Sequence, residues 1–327
     1  MSNVIGIDLG GTKILAARVD EDGRILAKHH RATPVEEGGE GVMAALAALA
    51  AAVRDDASVG VGVVSPGMID AGRGSFVGAA CNIPGLEKIP LAGRLAEALG
   101  LPAFAENDGN AAALAENWIG AARGAKICVM LTLGTGIGGG VVMGGRIYHG
   151  VGYCSGEFGH LSIDYKGPKC SCGGTGCAEL YASARALAVL GRQALAASDG
   201  TGIEKLIELS RGDTRNITSK MICAAAREGD AFALGLLDKY ARPLAAVLGS
   251  VMNSYNPDRI VIGGGLCPSW DLIGPRVEKE LSEGRALPAA RSGCTIVPAA
   301  LHEEAGVIGA ARVAMNQLRS SGISRRL

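Results

Sequence analysis

The chain has 327 residues, 20% charged and 48% hydrophobic, with 32 Lys and Arg against 32 Asp and Glu. That balance excludes a general polyanion binder, which needs clustered excess cation to neutralise phosphates. The longest wholly apolar run, residues 42–53, is too short for a bilayer span of ~20 residues, and the first residues lack the basic and apolar blocks of a secretory signal. Nine cysteines in such a chain read as reduced thiols or metal ligands, so a cytoplasmic protein without nucleic-acid or membrane partners is expected.

In chain order, VIGID at 4–8 reads as a short apolar strand. A glycine turn follows, 14–19 resumes as a strand, DEDG at 20–23 turns, and 24–28 returns. Residues 41–54 read as a helix, 59–64 as a buried strand, 91–99 as a helix, 102–106 as a short strand and 109–120 as a helix. The opening grammar then repeats: ICVMLTL at 127–133, a glycine turn, and VVMGGRIYHG at 141–150. Such a repeat implies two similar halves, each opening on an antiparallel meander. Helices are expected at 181–197, 203–210, 219–228, 231–253 and 306–319, with strands at 259–262 and 295–298. The alternation gives a two-domain α/β class, with the boundary in 119–125.

Fifty glycines gather in a few clusters, which suits loops around a phosphorylated ligand. In DLGGTK at 8–13, a carboxylate at a strand end followed by two glycines and a hydroxyl can hold a Mg2+ shell while backbone N–H groups meet phosphate oxygens. The same residues also suit a plain hairpin turn. LGTGIGGG at 133–140 occupies the equivalent turn of the second half, which makes a pair of phosphate loops more specific than either one. In ENDGN at 106–110, Asn107 or Asp108 suits a helix N-cap, and Asp108 equally suits a general base acting on an alcohol. His160 with Cys170, Cys172 and Cys177 supplies the donor set of a closed tetrahedral zinc site, structural because it leaves no position for substrate; the alternative is coincidental cysteines in a loop. Glu157 and Glu179 flank that loop, either as sugar-binding carboxylates or as ordinary surface acids. VIGGG at 261–265 suits a nucleotide's approach or a tight strand-to-helix turn.

DLGGTK, ENDGNAA, LGTGIGGG, EFGH at 157–160, CSCGGTGCAE at 170–179 and VIGGG appear in order and together resemble the ROK family over nearly the whole chain. The resemblance implies the actin-like ATPase fold, two RNase H-like domains around a cleft: residues 1–118 with 305–327, and residues 119–304. It implies an ATP-dependent kinase acting on a hexose, glucose before an N-acetylhexosamine or fructose. Asp108 would be the base, and Ser65, Gly67, Asn82, Asn107, Glu157, His160 and Glu179 would line the sugar pocket. Asp8, Gly10, Gly11, Thr12, Lys13, Gly134, Thr135 and Gly136 would lie near Mg2+ and the phosphates, with Gly264 and Gly265 near the adenosine. His160 would be shared between a structural zinc and the sugar. The family also contains sugar-sensing repressors, but these need a helix-turn-helix ahead of the first glycine loop, where only seven residues precede Asp8. A homodimer or homotetramer is the expected assembly.

Overall fold

The computed structural model describes residues 2–77, 83–198 and 200–322. The opening meander is β1 (Asn3–Leu9), β2 (Lys13–Asp20) and β3 (Ile25–Ala32), followed by α1 (Gly38–Val53) and β4 (Ser58–Ser65). A hairpin of two-residue strands, β5 (Ile69–Asp70) and β6 (Ser75–Phe76), leads to α2 (Leu91–Leu99), β7 (Ala103–Asn107) and α3 (Asp108–Trp118). The second meander is β8 (Ile127–Leu133), β9 (Ile137–Met143) and β10 (Arg146–Ile147). After it come α4 (Glu179–Ala182), α5 (Ala184–Ala196), α6 (Glu204–Leu209), α7 (Ser219–Arg227), α8 (Ala231–Tyr255), β11 (Arg259–Gly263), α9 (Trp270–Ser282), α10 (Pro288–Ser292), β12 (Thr295–Pro298) and α11 (Ala305–Ser320). Among the described residues no helix is long and apolar enough to cross a membrane.

The chain divides into two compact units. One comprises Met1–Gly124, Gly140–Gly156 and Ala300–Leu327; the other comprises Ala125–Gly139 and Glu157–Ala299. Two five-stranded sheets carry the same strand logic: β3-β2-β1-β4-β7 in one and β10-β9-β8-β11-β12 in the other. In the first, β1 pairs antiparallel with β2 and parallel with β4, which pairs parallel with β7. In the second, β11 pairs parallel with both β8 and β12.

In the first unit β1 is buried on both faces, as a central strand must be. Ile5, Ile7 and Leu9 enter a core with Leu46 and Leu49 of α1 and Leu91 and Leu95 of α2. Val4 faces the other way, into a core with Ala115 of α3 and Val307, Ala311 and Met315 of α11. That second face is unusually close-packed. A Cβ on Gly6 or Gly62 would overlap the carbonyl oxygens of Val307 or Ala310, so only glycine lets α11 lie this near the sheet. Glu116, buried in α3, fixes the entry to α11: its Oε1 accepts from the backbone N–H groups of Ala300 and Leu301 at 2.9 and 2.8 Å. The edge strand β3 carries Lys28, His29, His30 and Arg31 and is largely exposed, a charged edge that resists strand addition.

The expected helix at 181–197 is broken. Ser183 takes an extended conformation and its hydroxyl accepts from Ala186 N at 3.0 Å, ending α4 and capping α5. Helix α9 goes unread in the sequence because Pro268 and Pro275 signal a loop. Pro275 instead lies inside the helix, whose buried Ile273, Val277 and Leu281 recur every four residues.

Candidate functional site

In the first unit the chain passes from β7 to α3 with no intervening loop. Asn107 is the N-cap: its Oδ1 accepts from Asn110 N at 3.0 Å. Asp108 is therefore free of that duty and sits at the first helical position. Its Oδ1 accepts from Gly109 N at 2.8 Å and from Asn107 Nδ2 at 3.1 Å. The same Nδ2 donates to the carbonyl of Gly67 at 3.0 Å, tying the loop after β4 to the helix start. Ser65 lies beneath this loop, fully buried, and its hydroxyl donates to Pro66 O at 3.1 Å. Asn82 lies outside the described residues.

Asp8, next to last in β1, lies against the N-terminal turn of α11, where a side chain on Gly306 would overlap its carboxylate. Burial, and after it the Asp108 carboxylate, raise the Asp8 pKa to about 6 against the opposing effect of Lys13. Burial likewise pushes Asp108 up. Two carboxylates that repel, with a single lysine offsetting them, form a setting that favours an added hard cation. The turn itself is tied by Gly10 N to Lys13 O at 3.0 Å and by Thr33 Oγ1 to Gly10 O at 2.7 Å. A Cβ on Gly11 would meet nothing within 4 Å, so its backbone is open to close approach by a ligand. Thr12 is exposed, and Lys13 pairs with Glu303 at 3.3 Å.

One contact in this unit has no counterpart in the motif reading. Glu106, 1% exposed, pairs through Oε2 with His149 Nε2 at 2.6 Å. The signal was present in AFAEN: an acid inside an apolar strand demands a partner. Nothing local in sequence points to His149, which follows β10.

In the second unit the ligand atoms of His160, Cys170, Cys172 and Cys177 all lie within 4.8 Å of one another. Cys172 Sγ and Cys177 Sγ are 3.6 Å apart, and Cys170 Sγ lies 3.9 Å from His160 Nδ1. A tetrahedral metal with bonds of ~2.3 Å to sulfur has edges of about 3.7 Å, so the donor set fits zinc in size and chemistry. The loop closes through Cys170 N to Gly174 O and Gly173 N to Cys170 O, at 2.9 and 3.0 Å. The other ring nitrogen of His160, Nε2, stands 3.9 Å from the exposed Glu157 carboxylate.

Glu179 joins this loop to the second glycine turn. Its Oε1 accepts from the Cys170 thiol at 3.2 Å, and its Oε2 lies where a Cβ on Gly136 would come within 2.6 Å. Ala184 N donates to Gly134 O at 2.8 Å, anchoring the same turn to α5. Like Gly11, Gly134 has open space where a side chain would go; Thr135, between the two turn glycines, is exposed. Gly264 has φ of +81°, and a Cβ there would lie 2.6 Å from Leu133 N, so the strand-to-helix turn accounts for this glycine without a ligand. Gly264 and Gly265 are both exposed.

Paired sheets of matching order and glycine turns at both meander starts define an actin-like ATPase fold. The chain belongs to the ROK family, whose model matches residues 4–317. It is 38% identical to a glucokinase of Thermotoga maritima over 312 residues, 95% of this chain and 96% of that one. It is 33% identical to an N-acetylmannosamine kinase of Escherichia fergusonii over 315 residues, 96% of this chain and 98% of that one. The structure of a ROK family glucokinase from Streptomyces griseus, in complex with glucose and AMPPNP, superposes with a TM-score of 0.80 at 34% identity, over 96% of this chain and all of that one.

Proposed function

We propose that this chain is an ATP-dependent hexose kinase that phosphorylates glucose to glucose 6-phosphate. The observation that carries the reading is the setting of Asp108. Asn107 takes the capping role, two N–H donors hold one carboxylate oxygen, and burial raises the basicity of the group. A carboxylate so oriented is suited to accept a proton from a sugar hydroxyl as that oxygen attacks a phosphoryl group. The likeness to the Thermotoga maritima and Streptomyces griseus glucokinases supports glucose as the sugar.

In this reading Asn107 and the Gly67 loop hold the sugar beside Asp108, and the buried Ser65 supports that loop from below. The open backbones at Gly11 and Gly134, with Gly10, Thr12, Lys13, Thr135 and Gly136, receive the phosphates of ATP, and Gly265 borders the adenosine. Asp8 is the carboxylate that would hold Mg2+, which neutralises charge developing on the phosphates. His160, Cys170, Cys172 and Cys177 would hold a structural zinc that fixes the orientation of the His160 ring and of Glu179, leaving Nε2 and Glu157 toward the sugar.

The test is a coupled assay of ADP formation from purified protein with glucose, mannose, fructose, N-acetylglucosamine and N-acetylmannosamine, with ATP or inorganic polyphosphate as donor. Glucose with ATP should give the highest kcat/KM. A preference for N-acetylmannosamine would move the substrate to that of the Escherichia fergusonii relative, and inactivity with every sugar would overturn the kinase reading.

A further inference from the structure

The joint between β7 and α3 sets where Asp108 stands, and Glu106 organises that joint. Its Oε1 accepts from the backbone N–H of Asn107 at 2.9 Å and from Asn110 Nδ2 at 3.0 Å, gripping the residues on both sides of Asp108. Its Oε2 takes the ring of His149 at 2.6 Å. A carboxylate this deeply buried costs several kcal/mol unless it is paired and fully hydrogen-bonded. His149 supplies the partner, a cation when protonated, and remains one-quarter exposed on the rim of a cavity of about 270 Å³. His149 is itself braced: its ring meets Tyr153 edge-on at 5.6 Å, and the Tyr153 hydroxyl bonds to Asp70 of β5.

We infer that Glu106 and His149 are positioning residues for the phosphoryl-transfer step: the charged pair holds the β7–α3 joint, and through it Asp108, in the orientation that turnover requires. The inference rests on the reading of Asp108 as the base. The groups facing His149 are Glu106 from β7, Arg146 from the preceding strand β10, and Tyr153. Around the same cavity α3 presents Leu114, and α11 presents Val313, Asn316, Gln317 and Ser320, none of them charged. The bond to Glu106 raises the His149 pKa above its ordinary value near 6.5. A histidine so raised keeps its pairing at lower pH and loses it as pH rises through the folded value. The grip on the joint should therefore weaken on the alkaline side.

The experiment compares wild type with His149→Gln, which keeps an N–H donor but cannot carry charge, and His149→Ala. Expected are a kcat reduced about 10- to 100-fold, the scale of a small misplacement of a reacting group, and a KM for ATP within about twofold. The alkaline limb assigned to His149 should vanish from the kcat profile of His149→Gln, and imidazole should restore part of the activity of His149→Ala. Unchanged kcat and an unchanged pH profile in an active enzyme would overturn the inference. A readout that needs no turnover separates this failure from failure of the kinase reading. In ¹⁵N spectra of the wild type, the Asn107 and Gly109 amides should follow a titration that is absent in His149→Gln. Amides that titrate in a protein inactive on every sugar would uphold the joint and sink the kinase assignment; amides indifferent to His149 would sink the joint.

Discussion

Replacing Asp108 by asparagine is the sharpest perturbation of the site because the shape is nearly preserved. Both N–H donors to Oδ1, from Gly109 and Asn107, remain satisfied by an amide oxygen, so the helix start should not move. What is lost is a proton acceptor. General-base catalysis contributes roughly 10²- to 10⁴-fold, or about 2.7 to 5.4 kcal/mol of barrier at 1.36 kcal/mol per decade. The turnover number measured with glucose and ATP should fall by that range, while glucose affinity measured by calorimetry stays within a few-fold. The substitution also removes the charge that helps raise Asp8 to about 6. A carboxylate whose folded pKa exceeds its unfolded value destabilises the fold above that pH, and the penalty fades as pH falls through it. Asp108→Asn should therefore melt above wild type at pH 7.5, with the gap closing between pH 7 and 5. Turnover within tenfold of wild type would refute the base role, and a pH-independent difference in melting would refute the coupling to Asp8.

Cys172→Ser should lower the zinc content measured by atomic absorption and weaken glucose binding, because Glu179 and His160 lose their shared frame; full sugar affinity in a zinc-depleted protein would break that link. Gly62→Ala should destabilise the protein to urea by at least the 1–3 kcal/mol typical of overpacking, since the new methyl would meet the Ala310 carbonyl. An unchanged urea midpoint would mean that α11 can shift at no cost. Glu179→Gln should raise the KM for both glucose and ATP, because that carboxylate touches the cysteine loop with one oxygen and the Gly136 turn with the other. A change in only one KM would show that the two contacts act separately.

The repeating strand grammar was readable in the sequence because VIGID and ICVMLTL are buried runs ending in glycine turns, and the two sheets share one strand order. Helix α2 occupies the expected residues 91–99 because its amphipathic pattern ends at Gly100, in a left-handed cap. The four-residue α4 and the buried cap at Ser183 escape periodicity, which cannot see a one-residue break in an alanine-rich stretch. Within the site, the grouping of Cys170, Cys172 and Cys177 follows from their nearness along the chain. The choice of Asn107 over Asp108 as cap is settled by the direction of one side chain, and the pairing of Glu106 with His149 joins residues 43 apart. Contacts of these two kinds depend on tertiary placement and leave no periodic trace.

The close seat of α11 on β1 and β4 also bears on how the molecule is made. The sheet of the first unit begins at Asn3, yet its second core layer is completed far along the chain by α11 at residues 305–320. Contacts of such sequence separation must wait until α11 has been made. A leading unit that would otherwise fold as it emerges is thereby kept incomplete: the sheet face bearing Val4, Gly6 and Gly62 stays uncovered until residues 305–320 are made. The glycines that let α11 approach so closely make that waiting face shallow at Gly6 and Gly62, while Val4, Leu15, Val19 and Phe104 keep it apolar.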